Sequence, residues 1–212
     1  MAAASTDRYP IPLPQEHSVQ ETIKRSRFIC TATHTPSMEL AREFITKIKE
    51  RYPDATHNCW AFVAGPPGDT AHIGMSDDGE PHGTAGKPML NTLLHSGVGE
   101  ISCVVTRYFG GTKLGTGGLV RAYSGMINLA LDTLPLTQHV QTADIQTVIP
   151  YEAITLFKRM LPEYEAEILD EQFDTDATFR LRLPETEVTP LETALAELTN
   201  GNFLFITEES PS

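Results

Sequence analysis

The chain has 212 residues, 40% of them hydrophobic and 21% charged. That is enough for one large core or two small ones and excludes a disordered chain away from its ends. No apolar run approaches the roughly 20 residues of a membrane helix, and the net charge of −12 excludes indiscriminate binding to nucleic acid.

Residues 1–17 read as a tail; MAAASTDRYPIPLP has no basic stretch followed by an apolar one, so it is not a secretory signal. Residues 18–34, with IKRSRFICTAT, suggest a strand. Thr35-Pro36 then reads as a helix start, Thr as N-cap and Pro in the first turn. Leu40, Ala41, Phe44, Ile45, Ile48 and Tyr52 give that helix one apolar face, and Pro53 stops it. HNCWAFVAG (57–65) is a strand ending in the turn GPPGD, and AHIGM (71–75) is its hairpin partner. SDDGEPHGTAGKP (76–88) is a long polar loop, MLNTLLHSG a short helix closed by Gly97, and ISCVVTRYF a buried strand. Leu119, Val120, Tyr123, Met126, Ile127, Ala130, Leu131 and Leu134 mark a long helix that Pro135 ends.

A second pattern follows: strand 138–149, helix 151–161, strands 164–173 and 177–183, helix 188–199, strand 203–207. The order βαββαβ is the ferredoxin-like unit. The expected division is therefore a tail to 17, a first domain over 18–135 and a second over 138–208. Charge divides at the same place. Through Pro135 there are 12 Lys and Arg against 13 Asp and Glu; after it, 4 against 15. Cys30, Cys59 and Cys103 are far apart and odd in number, which fits a reduced, cytoplasmic protein without a disulfide framework or a thiolate zinc site.

The chemistry concentrates in two stretches. The first, TRYFGGTKLGTGGLVRAY, places five glycines, Gly110, Gly111, Gly115, Gly117 and Gly118, between a strand and a helix. Glycines let backbone N–H groups converge on an anion, and a helix N-terminus adds partial positive charge. No acid lies between Ile101 and Leu131, whereas Arg107, Lys113 and Arg121 do. These cations, with Lys87 before the preceding helix, are the candidate anion or RNA contacts, and Tyr108 a candidate stacking surface. Gly117 and Gly118 are expected at positive φ. The stretch is neither a P-loop nor a dinucleotide fingerprint, since no Lys-Ser/Thr follows and Val120 stands where Gly or Ala belongs. The alternative is that the glycines only make two tight turns.

The second stretch is the loop Ser76, Asp77, Asp78, Gly79, Glu80, Pro81, His82, Gly83, Thr84 and Gly86. Its carboxylates suit a divalent cation or acid–base work, but the spacing is that of an ordinary turn, so no metal, cofactor or catalytic residue is assigned. His57 and Cys59 share one face of a strand, as a Cys–His pair would, yet no third, orienting group is evident.

SDDGEPHGTAGKPML followed by VVTRYFGGTKLGTGGLVRAY resembles the Impact family, and the two-domain layout is similar to its bacterial YigZ branch. The core signature is carried by Arg107, Tyr108, Phe109, Gly110, Gly111, Thr112, Lys113, Leu114 and Gly115. The resemblance covers 18–135 by motif and the C-terminal part by pattern. It implies an α+β protein of two domains: an N-terminal α/β sandwich like domain IV of the elongation factor of ribosomal translocation and like a small-subunit ribosomal protein, and a C-terminal ferredoxin-like βαββαβ unit. It further implies a translation-linked accessory protein whose partner is RNA, the ribosome or a ribosome-associated protein. The eukaryotic members regulate translation through an extra N-terminal module, which these residues do not contain. A hydrolase of phosphorylated or peptide substrates, using His57, Asp77, Asp78 or His82, and a pure protein-interaction module are the alternatives. The oligomeric state stays open.

Overall fold

The computed structural model describes residues 8–207; the outer part of the expected tail, residues 1–7, lies outside them, as does the end of the second domain at 208. The chain forms two compact units, one over Tyr9–His139 and one from Val140 on, with Arg8. The first begins with β1 (Arg8–Pro12), a strand within the stretch expected as tail. It pairs with β7 (Leu136–Val140) in a two-stranded sheet. Tyr9 and Ile11 of β1 are buried, which is why this segment is not a tail.

The stretch expected as one strand is two. β2 (His17–Ile23) and β3 (Ser26–His34) pair antiparallel about the turn Lys24-Arg25. Both turn residues have positive φ, 45° and 71°, as the twist-matched two-residue hairpin requires. Asn-Gly is its usual signal, and Lys-Arg hides it. α1 (Met38–Arg51) starts later than expected. Its N-cap is Ser37, whose hydroxyl accepts from Leu40 N–H, while the Thr35 hydroxyl is buried against that of Ser102 at 2.6 Å. β4 (His57–Val63), β5 (Ile73–Ser76) and β6 (Ile101–Tyr108) complete a five-stranded sheet in the order β2-β3-β6-β4-β5. α1 packs Phe44, Ile45 and Ile48 against Phe62 and Val104 on one face. α2 (Gly86–Leu94) and α3 (Thr116–Thr133) cover the other, where Met89, Leu93, Tyr123, Met126 and Ile127 meet Phe28, Cys59 and Val105. α2 includes Lys87 and Pro88, expected in the loop; a proline in the first turn loses no helical bond.

The second unit runs β8 (Thr142–Ile149), a 3-10 turn, α4 (Ile154–Met160), β9 (Glu167–Phe173), β10 (Ala177–Pro184), α5 (Glu185–Thr199) and β11 (Leu204–Thr207). The antiparallel order β11-β8-β10-β9 is the ferredoxin-like sheet. Ile145, Phe157, Phe179, Leu181, Leu191 and Leu195 form its own core, and Asn200, in the left-handed region, ends α5. The fold is thus α+β in two domains. Among the described residues no helix is long and apolar enough to cross a membrane.

Residues 136–139 stay with the first unit, so a break at His139–Val140 respects the contacts and a break at Pro135 strips β1 of its partner. Fragments divided at 139/140 should each unfold cooperatively on thermal denaturation followed by circular dichroism. The fragment ending at Pro135 should melt several degrees lower than that ending at His139; equal melting would mean that the β1–β7 ribbon adds nothing.

Candidate functional site at the two motif loops

Loop 76–88 leaves β5 and returns into α2, and its acids turn inward. The Asp77 carboxylate accepts N–H groups from Gly83 at 2.7 Å, Ala85 at 3.0 Å and Gly86 at 2.8 Å. It thereby fills the N-terminus of α2, which has no side-chain cap of its own. Burial opposes the charged form, but the three backbone donors and nearby His82 outweigh it and hold this carboxyl below its usual pKa. Asp78 is likewise held low: against burial act the Lys49 ammonium at 2.6 Å and the Asn58 backbone N–H at 2.7 Å. Its carbonyl accepts from His57 Nδ1 at 2.9 Å.

The loop's third acid reaches deepest. Glu80, 8% exposed, accepts from Arg107 Nη1 at 2.5 Å and from the Tyr123 hydroxyl at 2.8 Å. Arg107 also donates to Ser26 Oγ and lies 5.4 Å from the centre of the Phe28 ring. This corrects the expectation for Arg107: a residue 5% exposed and ion-paired to Glu80 is no surface phosphate contact. Strand alternation turns it inward and Tyr108 outward. Tyr108 is engaged as well, its hydroxyl donating to Asp54 at 3.0 Å and its ring covered by the Arg27 guanidinium at 4.5 Å. The exposed ring is its neighbour Phe109, at 47%.

The groups considered for catalysis, His82 apart, are similarly committed. Cys59 is buried, its thiol donating to the Asp77 carbonyl, and burial pushes its pKa up to about 12, far from a reactive thiolate. His57 and Cys59 do share a face, but both bind the backbone of the loop. His82 is exposed, 3.8 Å from Asp77. Among the described residues no cluster of His, Cys, Asp and Glu could hold a metal ion.

Glycine requirements fall elsewhere than expected. Gly117 and Gly118 lie in the first turn of α3, and a Cβ on Gly117 meets open space. Positive φ belongs to Gly111 (82°) and Gly115 (76°), and in the other loop to Gly79 and Gly83. A Cβ on Gly110 would come 1.9 Å from the Arg25 carbonyl oxygen, and one on Gly86 2.9 Å from the Ser76 backbone. Gly110 therefore seats the RYFGG loop on the β2–β3 turn, with its N–H on Ser26 Oγ at 3.1 Å. That contact sets the hairpin turn, with exposed Lys24, Arg25 and Arg27, against the glycine loop, which carries exposed Lys113. The hairpin cations were not singled out in the sequence, where they read as part of a strand; three cations within Lys24–Arg27 were the available signal. Thr84 and Ser76 serve the other loop, Thr84 Oγ1 donating to the Pro81 carbonyl and Ser76 Oγ accepting from Asp78 N–H.

The N-terminus of α3 differs from that of α2. Gly115 caps it without a side chain, so the N–H groups of Thr116, Gly117 and Gly118 have no α-helical acceptor. Beside them lies a cavity of about 340 Å³ bordered by Glu80, Pro81, Phe109, Lys113 and Leu119. Arg121 is exposed on the solvent side of α3, and Lys87 is exposed on the first turn of α2.

The Impact N-terminal domain model matches residues 24–131, and a model described as a domain of unknown function (DUF1949) matches 147–202. The chain belongs to the Impact family. It is 41% identical over 192 residues to "IMPACT family member YigZ" of Escherichia coli, covering 91% of this chain and 94% of that protein. An Impact family member of Haemophilus influenzae is 43% identical over 185 residues, covering 87% and 90%. A solved structure described as "Crystal structure of an hypothetical protein" matches with a TM-score of 0.67 at 39% identity, over 97% of this chain and 99% of that one. Both motif loops fall within the matched N-terminal domain.

Three outcomes follow. Glu80→Leu leaves the Arg107 charge buried and unpaired, and should cost about 3–5 kcal/mol in denaturant unfolding. Gly110→Ala should cost about 1–3 kcal/mol by overpacking, whereas Gly117→Ala should be neutral or stabilising by up to about 1 kcal/mol. Asp77 and Asp78 hold fewer protons folded than unfolded. Their stabilisation is therefore complete above the ordinary carboxyl pKa of 3.8 and lost as pH falls through the lower folded values. Asp77→Asn should lower stability at pH 7 by about 0.5–2 kcal/mol and flatten the acid limb of stability against pH.

Proposed function

We propose that this Impact family protein is a non-enzymatic, translation-linked accessory factor that binds RNA, the ribosome or a ribosome-bound protein through the face around the glycine loop. One observation carries the reading: Gly110 packs the loop onto the β2–β3 turn, so the hairpin that carries exposed Lys24, Arg25 and Arg27 meets the loop that carries exposed Lys113 and leads into a helix start without a side-chain cap. Backbone amides and cations are the donors that phosphates take. Arg121 on α3 and Lys87 on α2 are exposed as well. The acids that the described contacts bring to the loop are engaged, Asp54 by Tyr108 and Glu80 by Arg107 and Tyr123. Family membership supports a link to translation. The hydrolase alternative loses support because three of its four groups, His57, Asp77 and Asp78, are spent on holding the loop, and only His82 is exposed.

With the acidic remainder of the chain repelling nucleic acid, binding through this face should be weak and steeply salt-dependent. Affinity for ribosomes and for a structured RNA is to be measured at several salt concentrations. Replacing Lys24, Arg25, Arg27 and Lys113 by Gln should weaken binding and lower the slope of log affinity against log salt by about 3. Equal affinities and slopes in both proteins would sink the reading. Capture of a protein partner that survives nuclease and these substitutions would favour the interaction-module alternative.

A further inference from the structure

We infer that the cavity at the start of α3 receives a single unstacked nucleobase, with its phosphate at the mouth. The inference rests on the RNA reading and names the ligand chemistry of the same site.

Size comes first. About 340 Å³ lies at the lower end of small-molecule pockets; it suits one heterocycle and excludes a base pair. The walls are apolar, formed by Pro81, Leu114 and Leu119. Phe109 stands beside them, exposed in spite of its apolar ring, with the Arg107 guanidinium 5.6 Å from the ring centre. An exposed ring held by a buried cation is a ready stacking platform, and stacking accepts any base.

Depth supplies the polar part. Glu80 and Arg107, with side chains 3% and 6% exposed, form the floor. Their pairing is incomplete. Glu80 Oε1 takes both Arg107 and Tyr123. Arg107 Nε is buried without a hydrogen-bond partner among the described residues. A donor on a residue that lines the apolar slot therefore remains unspent, and the edges of nucleobases carry acceptors. A buried polar group left unpaired is costly, so a ligand that pairs it is favoured. At the mouth, exposed Lys113 and the first N–H groups of α3 are placed for the phosphate.

The same chemistry occurs in an RNA strand and in a free nucleotide, and the experiment separates them. Binding of the full-length protein is measured for single-stranded five-nucleotide RNAs, for a blunt RNA duplex of matched charge, and for AMP, GMP, CMP and UMP. Wild type is compared with Phe109→Ala and with Phe109→Leu, which keeps apolar bulk but not the ring. Single strands should bind more tightly than the duplex. Phe109→Ala and Phe109→Leu should each weaken single-strand binding about 5- to 100-fold, with the salt slope and melting temperature unchanged. Competition by a monophosphate would assign the pocket to free nucleotides as well as RNA; its absence, to RNA alone. Salt-dependent RNA binding that is equal for single strand and duplex, or indifferent to both Phe109 variants, would overturn the pocket and leave the cationic face standing. No binding of any RNA or nucleotide would overturn both.

Discussion

Glu80 takes a guanidinium N–H from Arg107 and the phenol hydroxyl of Tyr123, and through these two bonds one carboxylate ties a loop, a strand and a helix together. Glu80 belongs to loop 76–88, Arg107 to the end of β6 and Tyr123 to the middle of α3. All three are buried. A buried ion pair is weak evidence of stability, since desolvation offsets most of its attraction, but removing one partner strands the other. The pair therefore specifies an arrangement: if Glu80 is to reach Arg107, the loop must cross the end of the sheet, with α3 packed alongside.

The rest of the loop obeys that requirement. Asp77 holds the backbone of residues 83–86 and starts α2; Asp78 clamps Lys49 and Asn58; His57 and Cys59 hold the carbonyls of Asp78 and Asp77. A stretch that looks reactive is a self-satisfied polar network, and low carboxyl pKa values express that satisfaction. The contrast between the two helix starts carries the functional argument. α2 receives its anion from within the chain, whereas α3, capped by a glycine, does not.

Much of the fold was legible in the residues. Helical spacing located α1 and α3, the βαββαβ order marked the second domain, and the two motifs placed the chain in its family. Errors lay where local signals are ambiguous. A hairpin turned by Lys-Arg lacks the usual glycine, β1 is a short strand that pairs only with a segment more than a hundred residues away, and Thr35-Pro36 imitates a cap two residues too early. At the candidate site the motif residues do converge, but their roles were exchanged: Arg107 is inside and Phe109 outside, and the hairpin cations join a loop far from them in sequence.

The sequence by itself determined most of the helices and the longer strands, the near-neutral and acidic halves of the chain, and the pairing of a glycine loop with a cluster of acids. Those properties depend on periodicity, composition and turn chemistry, all of which act between near neighbours. Tertiary structure alone decided which charges are spent and which remain free. Whether an arginine meets Glu80 or solvent depends on which way its strand faces and on what crosses that strand, here a loop about 27 residues earlier in the chain. The absent Cβ of Gly110 likewise acquires its meaning only from the Arg25 carbonyl pressed against it, because close packing is a property of surfaces brought together and not of either segment alone.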